Sequence, residues 1–257
     1  MKVQLASDLH LELLNDSRTI DWSALIKPAA PVLAICGDVG RPGSHLLRSL
    51  LEFCSHSFEL VLLVRGNHDY YAVRSTPATP DEIMQQFREE TARFGNVKLL
   101  ERESVEWGGV TFHGCTLWSD IPDKWKNYVG SVMSDTARIM FAERAATVHD
   151  LVAWHERDAA WLAAQVRATR GPQVVLTHHL PVTCQELTPA AYWPPSAVQC
   201  AYSTDDVWEL ARGTSVKALL CGALARVWAG REGGHRHCHQ FDRVRGRARQ
   251  VRKVVRR

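Results

Sequence analysis

Four short apolar stretches of this sequence are followed at once by side chains that can bind metal ions. Aspartate, asparagine and histidine are common ligands of divalent ions, and histidine can also donate a proton near neutral pH. The stretches and their polar residues are residues 2–6 with Asp8 and His10, residues 31–36 with Asp38, residues 60–64 with Asn67, His68 and Asp69, and residues 173–177 with His178. The pattern indicates one metal site, assembled from separate parts of the chain.

Each of these groups has an ordinary structural explanation when it is considered alone. Asp8 and His10 could belong to a solvated turn, and an aspartate such as Asp38 often forms a turn or caps a helix. All four groups nevertheless take equivalent positions, directly after an apolar run of the length of a buried strand. Open α/β sheets bind their ligands beyond the carboxyl ends of such strands. The joint pattern therefore favours a site.

Helical segments alternate with these strands, and this alternation predicts an α/β fold. Apolar residues recur with helical spacing in residues 44–55, 81–94, 136–167 (as two helices) and 204–212. The pair Gly108-Gly109 separates two strand-like runs and predicts a hairpin, so we expect mixed sheets. Residues 119–134, rich in tryptophan, lysine and aspartate, are predicted to be irregular.

The composition limits the class of the protein and its location. The 257 residues are 46% hydrophobic, which is enough for a sizeable core. No stretch approaches the roughly 18 apolar residues of a membrane helix, and the first residues turn polar too soon for a signal peptide. Seven cysteines without a C-x-x-C pair indicate reduced thiols and a cytoplasmic protein. The net charge of +3 is too small to indicate a nucleic-acid partner by itself.

The motifs resemble those of the calcineurin-like metallophosphoesterase superfamily over about residues 1–222. The phrases SDLHLE, GNHDYY and LTHHLP are similar to those of its small bacterial single-domain members. The resemblance implies a four-layer α/β/β/α sandwich of two mixed β-sheets flanked by helices. It also implies two divalent metal ions (Mn, Fe or Zn) between the sheets, and hydrolysis of a phosphomonoester or phosphodiester of a small molecule or nucleotide.

The resemblance implies a role for each candidate residue. The implied metal ligands are Asp8 and His10 for one ion, Asp38 for both ions, and Asn67 and His178 for the second ion. His68 would donate a proton to the leaving oxygen or stabilise the transition state, and Asp69 would orient it. The physics agrees, because two ions about 3.5–4 Å apart both activate water and neutralise charge on phosphoryl oxygens. A bridging carboxylate such as Asp38 has two oxygens to share.

The sequence departs from the superfamily after residue 222. Its members have a Gly-His-x-His block here, whereas Gly222 is followed by Ala223-Leu224-Ala225, and such a string occurs only later, with His235 and His237. Either an insertion displaces the block, or the reading frame shifts near Gly222, since a one-base slip permits His-Ser-His directly after Gly222. We favour the frame shift, because the same slip permits the Asn-x-x-Gly-Tyr run that ends many members.

Residues 223–257 therefore form an atypical, Arg-rich segment, which we interpret as frameshifted or disordered and as separate from the phosphoesterase domain at 1–222. Eight of its last fifteen residues are lysine or arginine. A tail of this composition could instead bind nucleic acid, although we do not expect nucleic acid to be a partner.

The sequence thus predicts a cytoplasmic metallophosphoesterase, impaired in this chain if the two missing histidines are real. One alternative is a catalytically impaired phosphoesterase fold that acts as an interaction scaffold. Another is a basic-tailed phosphoesterase associated with nucleic acid. Retention of the whole candidate set up to His178 favours an enzyme, since a scaffold has no need of it. We expect no membrane partner, and the sequence indicates neither the substrate nor the oligomeric state.

Overall fold

The computed structural model describes residues 1–72, 77–183 and 198–222, and the backbone of two further strands at 226–229 and 237–240. The strands are β1 (Val3–Ala6), β2 (Val32–Cys36), β3 (Leu60–Val64), β4 (Val97–Leu99), β5 (Glu103–Trp107), β6 (Val110–Cys115), β7 (Gln173–Thr177), β8 (Val216–Cys221), β9 (Arg226–Ala229) and β10 (His237–Gln240). The helices are α1 (Trp22–Leu25), α2 (His45–Ser57), α3 (Pro80–Ala92), α4 (Asp123–Val132), α5 (Asp135–Arg138), α6 (Val148–Ala168) and α7 (Asp206–Ala211).

Two sheets form the centre of the fold. The first has the order β1-β2-β3-β4, and the second has the order β10-β9-β8-β7-β6-β5. All described pairs of the first sheet are parallel, because each connection crosses over through a helical segment. The second sheet combines parallel pairs among β6, β7 and β8 with antiparallel pairs at both ends. The predicted arrangement of two sheets flanked by helices is confirmed, and its mixed character lies in the second sheet.

Alternate residues of the central strands face different layers, as a pleated strand requires. Leu33 and Ile35 of β2 pack towards α2 and α3, whereas Val32 and Ala34 face the second sheet. On the second sheet, inward side chains such as Leu176 meet the first sheet, and Val175 packs outward with residues of α6 and α7. Three apolar cores therefore separate four layers in the order α/β/β/α.

The helices largely follow the predicted segments. The predicted segment 136–167 divides into α5 and α6, as expected, and α2 presents the predicted apolar face. The prediction that residues 119–134 are irregular is wrong, because α4 begins after Pro122 and buries Val129. The local composition did not indicate this helix, because lysines and exposed aromatic residues surround its single buried position, Val129. Among the described residues, no helix is long and apolar enough to cross a membrane.

Candidate metal centre

The ends of β1 and β2 are joined beyond the regular sheet, and this brings the first candidate residues together. The amide of Asp8 donates to the carbonyl oxygen of Gly37 at 3.1 Å, and that of His10 donates to the carbonyl oxygen of Asp38 at 2.9 Å. Asp8, His10 and Asp38 all have positive φ angles, of 55°, 46° and 52°. Such conformations cost about 1–3 kcal/mol each and are typical of functional sites, where the surrounding structure fixes them.

Glycines allow the strand ends to approach each other closely. A Cβ atom at Gly66 would lie 2.1 Å from Oδ1 of Asp38, and one at Gly222 would lie 1.9 Å from the carbonyl oxygen of Cys36. The ring of His178 fills the space beside Gly37, where a Cβ would lie 2.4 Å from its Nδ1. These contacts leave no room for larger residues, so the sequence around each strand end is adapted to a crowded centre.

The carboxylate of Asp38 lies at the middle of this centre. Its Oδ1 accepts the backbone N–H of His68 at 2.9 Å. Its Oδ2 lies 3.6 Å from Nε2 of His10 and 3.4 Å from Nε2 of His178. Burial raises the pKa of Asp38, but the charges and hydrogen bonds of the histidines, led by His178, outweigh it and lower that pKa. Asp38 is therefore a buried, ionised group that three predicted site residues contact.

The orientations of His178 and Asn67 are fixed from behind. Nδ1 of His178 lies 2.8 Å from the carbonyl oxygen of Cys36, which can only accept, so this nitrogen donates. The Nδ2 group of Asn67 donates to Oδ1 of Asp135 at 2.8 Å. As a result, Nε2 of His178 and Oδ1 of Asn67 face each other at 3.1 Å, next to the Asp38 carboxylate.

This donor set fits a divalent metal ion. Lone pairs of nitrogen, amide oxygen and carboxylate converge on one space, and mutual repulsion is relieved only by a cation or a proton. In the metal-free protein a proton on His178 relieves this repulsion. Burial lowers the pKa of His178, but the negative charge of Asp38 outweighs burial and raises that pKa to about 10. Ligand atoms of His10, Asp38 and His68 also lie within 4.8 Å of one another. Imidazole nitrogen, amide oxygen and carboxylate ligands suit Mn, Fe or Zn.

Asp8 and Asp69 lie at the edges of the centre. Oδ2 of Asp8 accepts a hydrogen bond from Oγ of Ser7 at 2.6 Å. The Asp69 carboxylate accepts the backbone N–H groups of Gly66 at 2.8 Å and Gly40 at 2.9 Å, which ties together the loops after β2 and β3. Burial and then the charge of Asp38 raise the pKa of Asp69 to about 7. No hydrogen bond between Asp69 and the ring of His68 occurs in the described structure.

Glu12 is a residue of the centre that the sequence did not indicate. Its Oε1 lies 2.8 Å from Nδ1 of His10 and 3.5 Å from Nδ1 of His68. Burial raises the pKa of Glu12, but hydrogen bonds from His10 and His68 outweigh it and lower the pKa to about 2. The spacing His10-x-Glu12 is a weak local signal, since carboxylates are common beside strand ends. Asp135, by contrast, belongs to α5, far from Asn67 in the sequence, and has no local signal.

The histidines after residue 222 are only partly covered by the structure. Residues 223–225 and His235 lie outside the described residues. In β10 the backbone of His237 pairs with Ala229, which pairs with Ala218 of β8. β8 ends near the centre at Cys221, and Ala218 lies three residues before that end. The backbone of His237 is level with Ala218, so it lies about 10 Å along the strand direction from the centre.

Comparisons with known proteins agree with this fold. The family model described as calcineurin-like phosphoesterase matches residues 1–222. An uncharacterised protein of Acanthamoeba polyphaga mimivirus is 26% identical over 190 residues, which are 70% of this chain and 68% of the viral protein. One solved crystal structure superposes with a TM-score of 0.50 over 93% of this chain and 98% of its own, at 11% sequence identity. The structural likeness supports the fold alone.

A sandwich of two sheets with aspartate, asparagine and histidine side chains gathered at strand ends is the framework of a metal-dependent hydrolase. The chain belongs to the calcineurin-like phosphoesterase family. Members of this family generally bind divalent metals and hydrolyse phosphate esters.

Proposed function

We propose that this protein hydrolyses phosphate esters of small molecules or nucleotides at a dinuclear metal centre. The observation that supports this most is the approach of His10 and His178, from different strand ends, to the same oxygen of Asp38. A carboxylate between two imidazoles is well placed to bridge two metal ions, each of which one imidazole would also bind. When bound, two divalent ions would supply an activated water and neutralise charge on the phosphoryl oxygens.

The proposed ligands follow from this arrangement. Asp8 and His10 would hold one ion, Asp38 both ions, and Asn67 and His178 the other. Asp38, Asn67 and His178 are buried, so their orientation is fixed before any ligand arrives. Manganese is our first choice of metal, because mixed carboxylate, amide and imidazole ligands suit it.

His68 is the proposed proton donor. Its side chain is 33% exposed, so it can reach a bound ester, whereas the buried ligands cannot. The backbone N–H of His68 donates a hydrogen bond to Asp38, and the centroids of the His68 and Tyr71 rings are 4.4 Å apart. These two contacts define the position of His68. In this position the imidazole can protonate the leaving oxygen, as general acid catalysis near neutral pH requires.

We also propose a cytoplasmic location. Cys36, Cys54 and Cys115 are free thiols in the described structure. Reduced cysteines are typical of a reducing compartment.

The activity is tested with p-nitrophenyl phosphate and bis(p-nitrophenyl) phosphate in the presence of Mn(II). Hydrolysis should require the metal and stop after chelation. Asp38→Ala and His68→Ala should each lower kcat by at least about a hundredfold, in line with the general acid contribution for His68. Lys217→Ala, at an exposed position of β8 far from the centre, is the control. Unchanged turnover in either site variant would contradict the assignment.

A catalytically impaired form is the second candidate, since Ala223 and Ala225 replace the histidines that the family pattern requires. The chain is therefore compared with the double variant Ala223→His and Ala225→His. Higher Mn-dependent turnover in the double variant identifies an impaired enzyme. If neither protein binds metal or hydrolyses an ester, an interaction scaffold is favoured.

A further inference from the structure

We propose that Glu12 is a positioning residue that sets the orientation of both His10 and His68. This inference rests on the proposed function. It joins one proposed metal ligand and the proposed proton donor through a single carboxylate, and it replaces Asp69 as the residue that orients His68.

The contacts of Glu12 support a shared role. One oxygen, Oε1, lies 2.8 Å from Nδ1 of His10 and 3.5 Å from Nδ1 of His68. The two imidazole rings meet edge to face, with centroids 4.7 Å apart. A carboxylate oxygen therefore lies on the Nδ1 side of both rings, and the Nε2 side of each ring is turned away from it.

For His10, this contact fixes which nitrogen can bind a metal ion. An ionised carboxylate only accepts, so the hydrogen of the neutral His10 ring is on Nδ1. Its Nε2 is then free to act as a ligand and lies 3.6 Å from Oδ2 of Asp38. Carboxylates behind ligating histidines commonly have this effect, and they also raise the basicity of the ligand.

For His68, the contact defines the nitrogen that exchanges a proton with the substrate. A hydrogen on Nδ1 that points to Glu12 leaves Nε2 as the reacting nitrogen. The 3.5 Å separation is long for a hydrogen bond, but catalytic hydrogen bonds in ligand-free proteins are often long and shorten in the complex. Tyr71 packs against the ring at 4.4 Å and limits its rotation.

The backbone holds Glu12 in place. It lies in a single turn of 3-10 helix, Leu11–Leu13, that begins directly after His10. The N–H of Leu11 donates to the carbonyl oxygen of Val39 at 3.1 Å, and a Cβ atom at Gly40 would lie 2.8 Å from Cβ of Leu11. The turn is thus packed against the loop that contains Asp38, so Glu12 has a defined position.

Asp69 is less suited to this role. Both of its oxygens accept backbone N–H groups, from Gly66 and Gly40. The side chain of Glu12 is only 5% exposed, and its Oε2 has no hydrogen-bond partner among the described residues. The two imidazoles are therefore the polar side chains that compensate the burial of this carboxylate.

The inference is tested with Glu12→Ala and Glu12→Gln, and with Leu13→Ala, an exposed position of the same turn, as control. Titration of the metal-free proteins with Mn(II) by calorimetry gives the first result. Glu12→Ala should weaken binding about 10- to 100-fold. Glu12→Gln should recover part of the loss, because its amide oxygen still accepts from His10. Leu13→Ala should bind as the wild type does.

The second measurement reports on His68 and does not depend on turnover. At saturating Zn(II), long-range 1H–15N spectra should show the hydrogen of His68 on Nδ1 in the wild type and a mixture of tautomers in Glu12→Ala. Wild-type Mn(II) affinity together with an unchanged His68 tautomer in Glu12→Ala would overturn the proposal.

Turnover separates this proposal from the proposed function. If the wild type hydrolyses esters and Glu12→Ala does so equally well at saturating metal, the part that concerns His68 is wrong while the enzyme assignment holds. If the wild type hydrolyses no ester, the proposed function fails, and the affinity and tautomer measurements still decide the role of Glu12.

Discussion

At the scale of single residues, the proposed metal centre depends on groups that orient its proposed ligands. The Asn67 amide has an oxygen and a nitrogen of similar size, and only the oxygen can bind a cation. Oδ1 of Asp135 accepts a hydrogen bond from Nδ2 of Asn67 at 2.8 Å, and Asp135 is itself 1% exposed. This bond holds the nitrogen of the Asn67 amide and leaves its oxygen free to face a cation. The hydroxyl of Tyr71 donates to the same oxygen of Asp135. A buried acid thus fixes the orientation of Asn67, a proposed neutral ligand.

We therefore expect Asp135→Asn to weaken Mn(II) binding by about 10- to 100-fold, the usual effect of losing a group behind a ligand. The new amide can place an N–H group against Nδ2 of Asn67, which favours rotation of the Asn67 amide away from the metal position. Calorimetric titration of the metal-free protein measures this change. Asp123→Asn, the same substitution at an exposed position of α4, should have wild-type affinity. Equal affinities in both variants would contradict the role of Asp135.

The sequence indicated the residues that follow strands, but not those that orient them. Asp38, Asn67 and His178 each follow a buried apolar run, and this pattern is visible without a structure. Asp135 is 68 positions from Asn67, and only the packing of α5 brings them together. Glu12 was close enough to be noticed, but carboxylates beside a strand end are too common to be chosen from one sequence.

At the scale of elements, α6 is fixed at its start by a reciprocal pair of hydrogen bonds. The Oγ1 atom of Thr147 accepts the N–H of Asp150 at 3.3 Å, and the Asp150 carboxylate accepts the N–H of Thr147 at 2.7 Å. This capping box satisfies backbone donors that the helix cannot satisfy itself. The same helix packs Leu162 and Val166 against the second sheet.

Thr147→Ala should lower the free energy of unfolding by about 1 kcal/mol, the typical effect of losing such a cap. Urea denaturation followed by circular dichroism measures the change. Thr147→Ser keeps the hydroxyl and should remain close to the wild type. Mn(II) affinity should be the same in all three proteins, because Thr147 and Asp150 are not among the proposed metal ligands. A loss of equal size in Thr147→Ser would mean that the methyl group, and not the cap, is important.

Most elements could be predicted because their signals are local. Continuous apolar runs gave β2, β3 and β7, and helical spacing gave α2 and α3 within two residues at most ends. The helix α4 was missed because its stability depends on tertiary contacts of Val129 rather than on an apolar stripe. Tertiary packing overrides weak local preferences in this way.

At the scale of the molecule, the two sheets bury one apolar core between them and expose one common edge of strand ends. Cys36, Val64 and Leu176 belong to this core, directly below the candidate metal centre. The position of the proposed ligands therefore depends on the packing of the whole sandwich. The strands β9 and β10 extend the second sheet beyond β8. The interpretation of residues 223–257 as frameshifted stays a prediction, which the DNA sequence of codons 215 to 246 would decide.

Folding also buries a histidine that the proposed chemistry does not use. His179 is 1% exposed, and its Nδ1 lies 2.8 Å from Oγ of Ser119. Burial, followed by the positive charge of His178, lowers the pKa of His179 to about 3. The unfolded chain should protonate this residue near pH 6.5, the ordinary value for histidine. Between these two pKa values the unfolded state binds a proton that the folded state does not, so stability falls as the pH falls.

Titration of His179 should lower the free energy of unfolding by about 1.4 kcal/mol for each pH unit below 6.5, or by roughly 2 kcal/mol at pH 5. His179→Gln cannot titrate and should lose about that much less stability than the wild type between pH 7 and pH 5. Urea denaturation of the metal-free proteins at both pH values measures the difference, in which groups common to both proteins, including His178, cancel. His149→Gln, an exposed histidine of α6, is the matched control. The same pH dependence in His179→Gln and in the wild type would show that His179 titrates equally in both states, contrary to its burial.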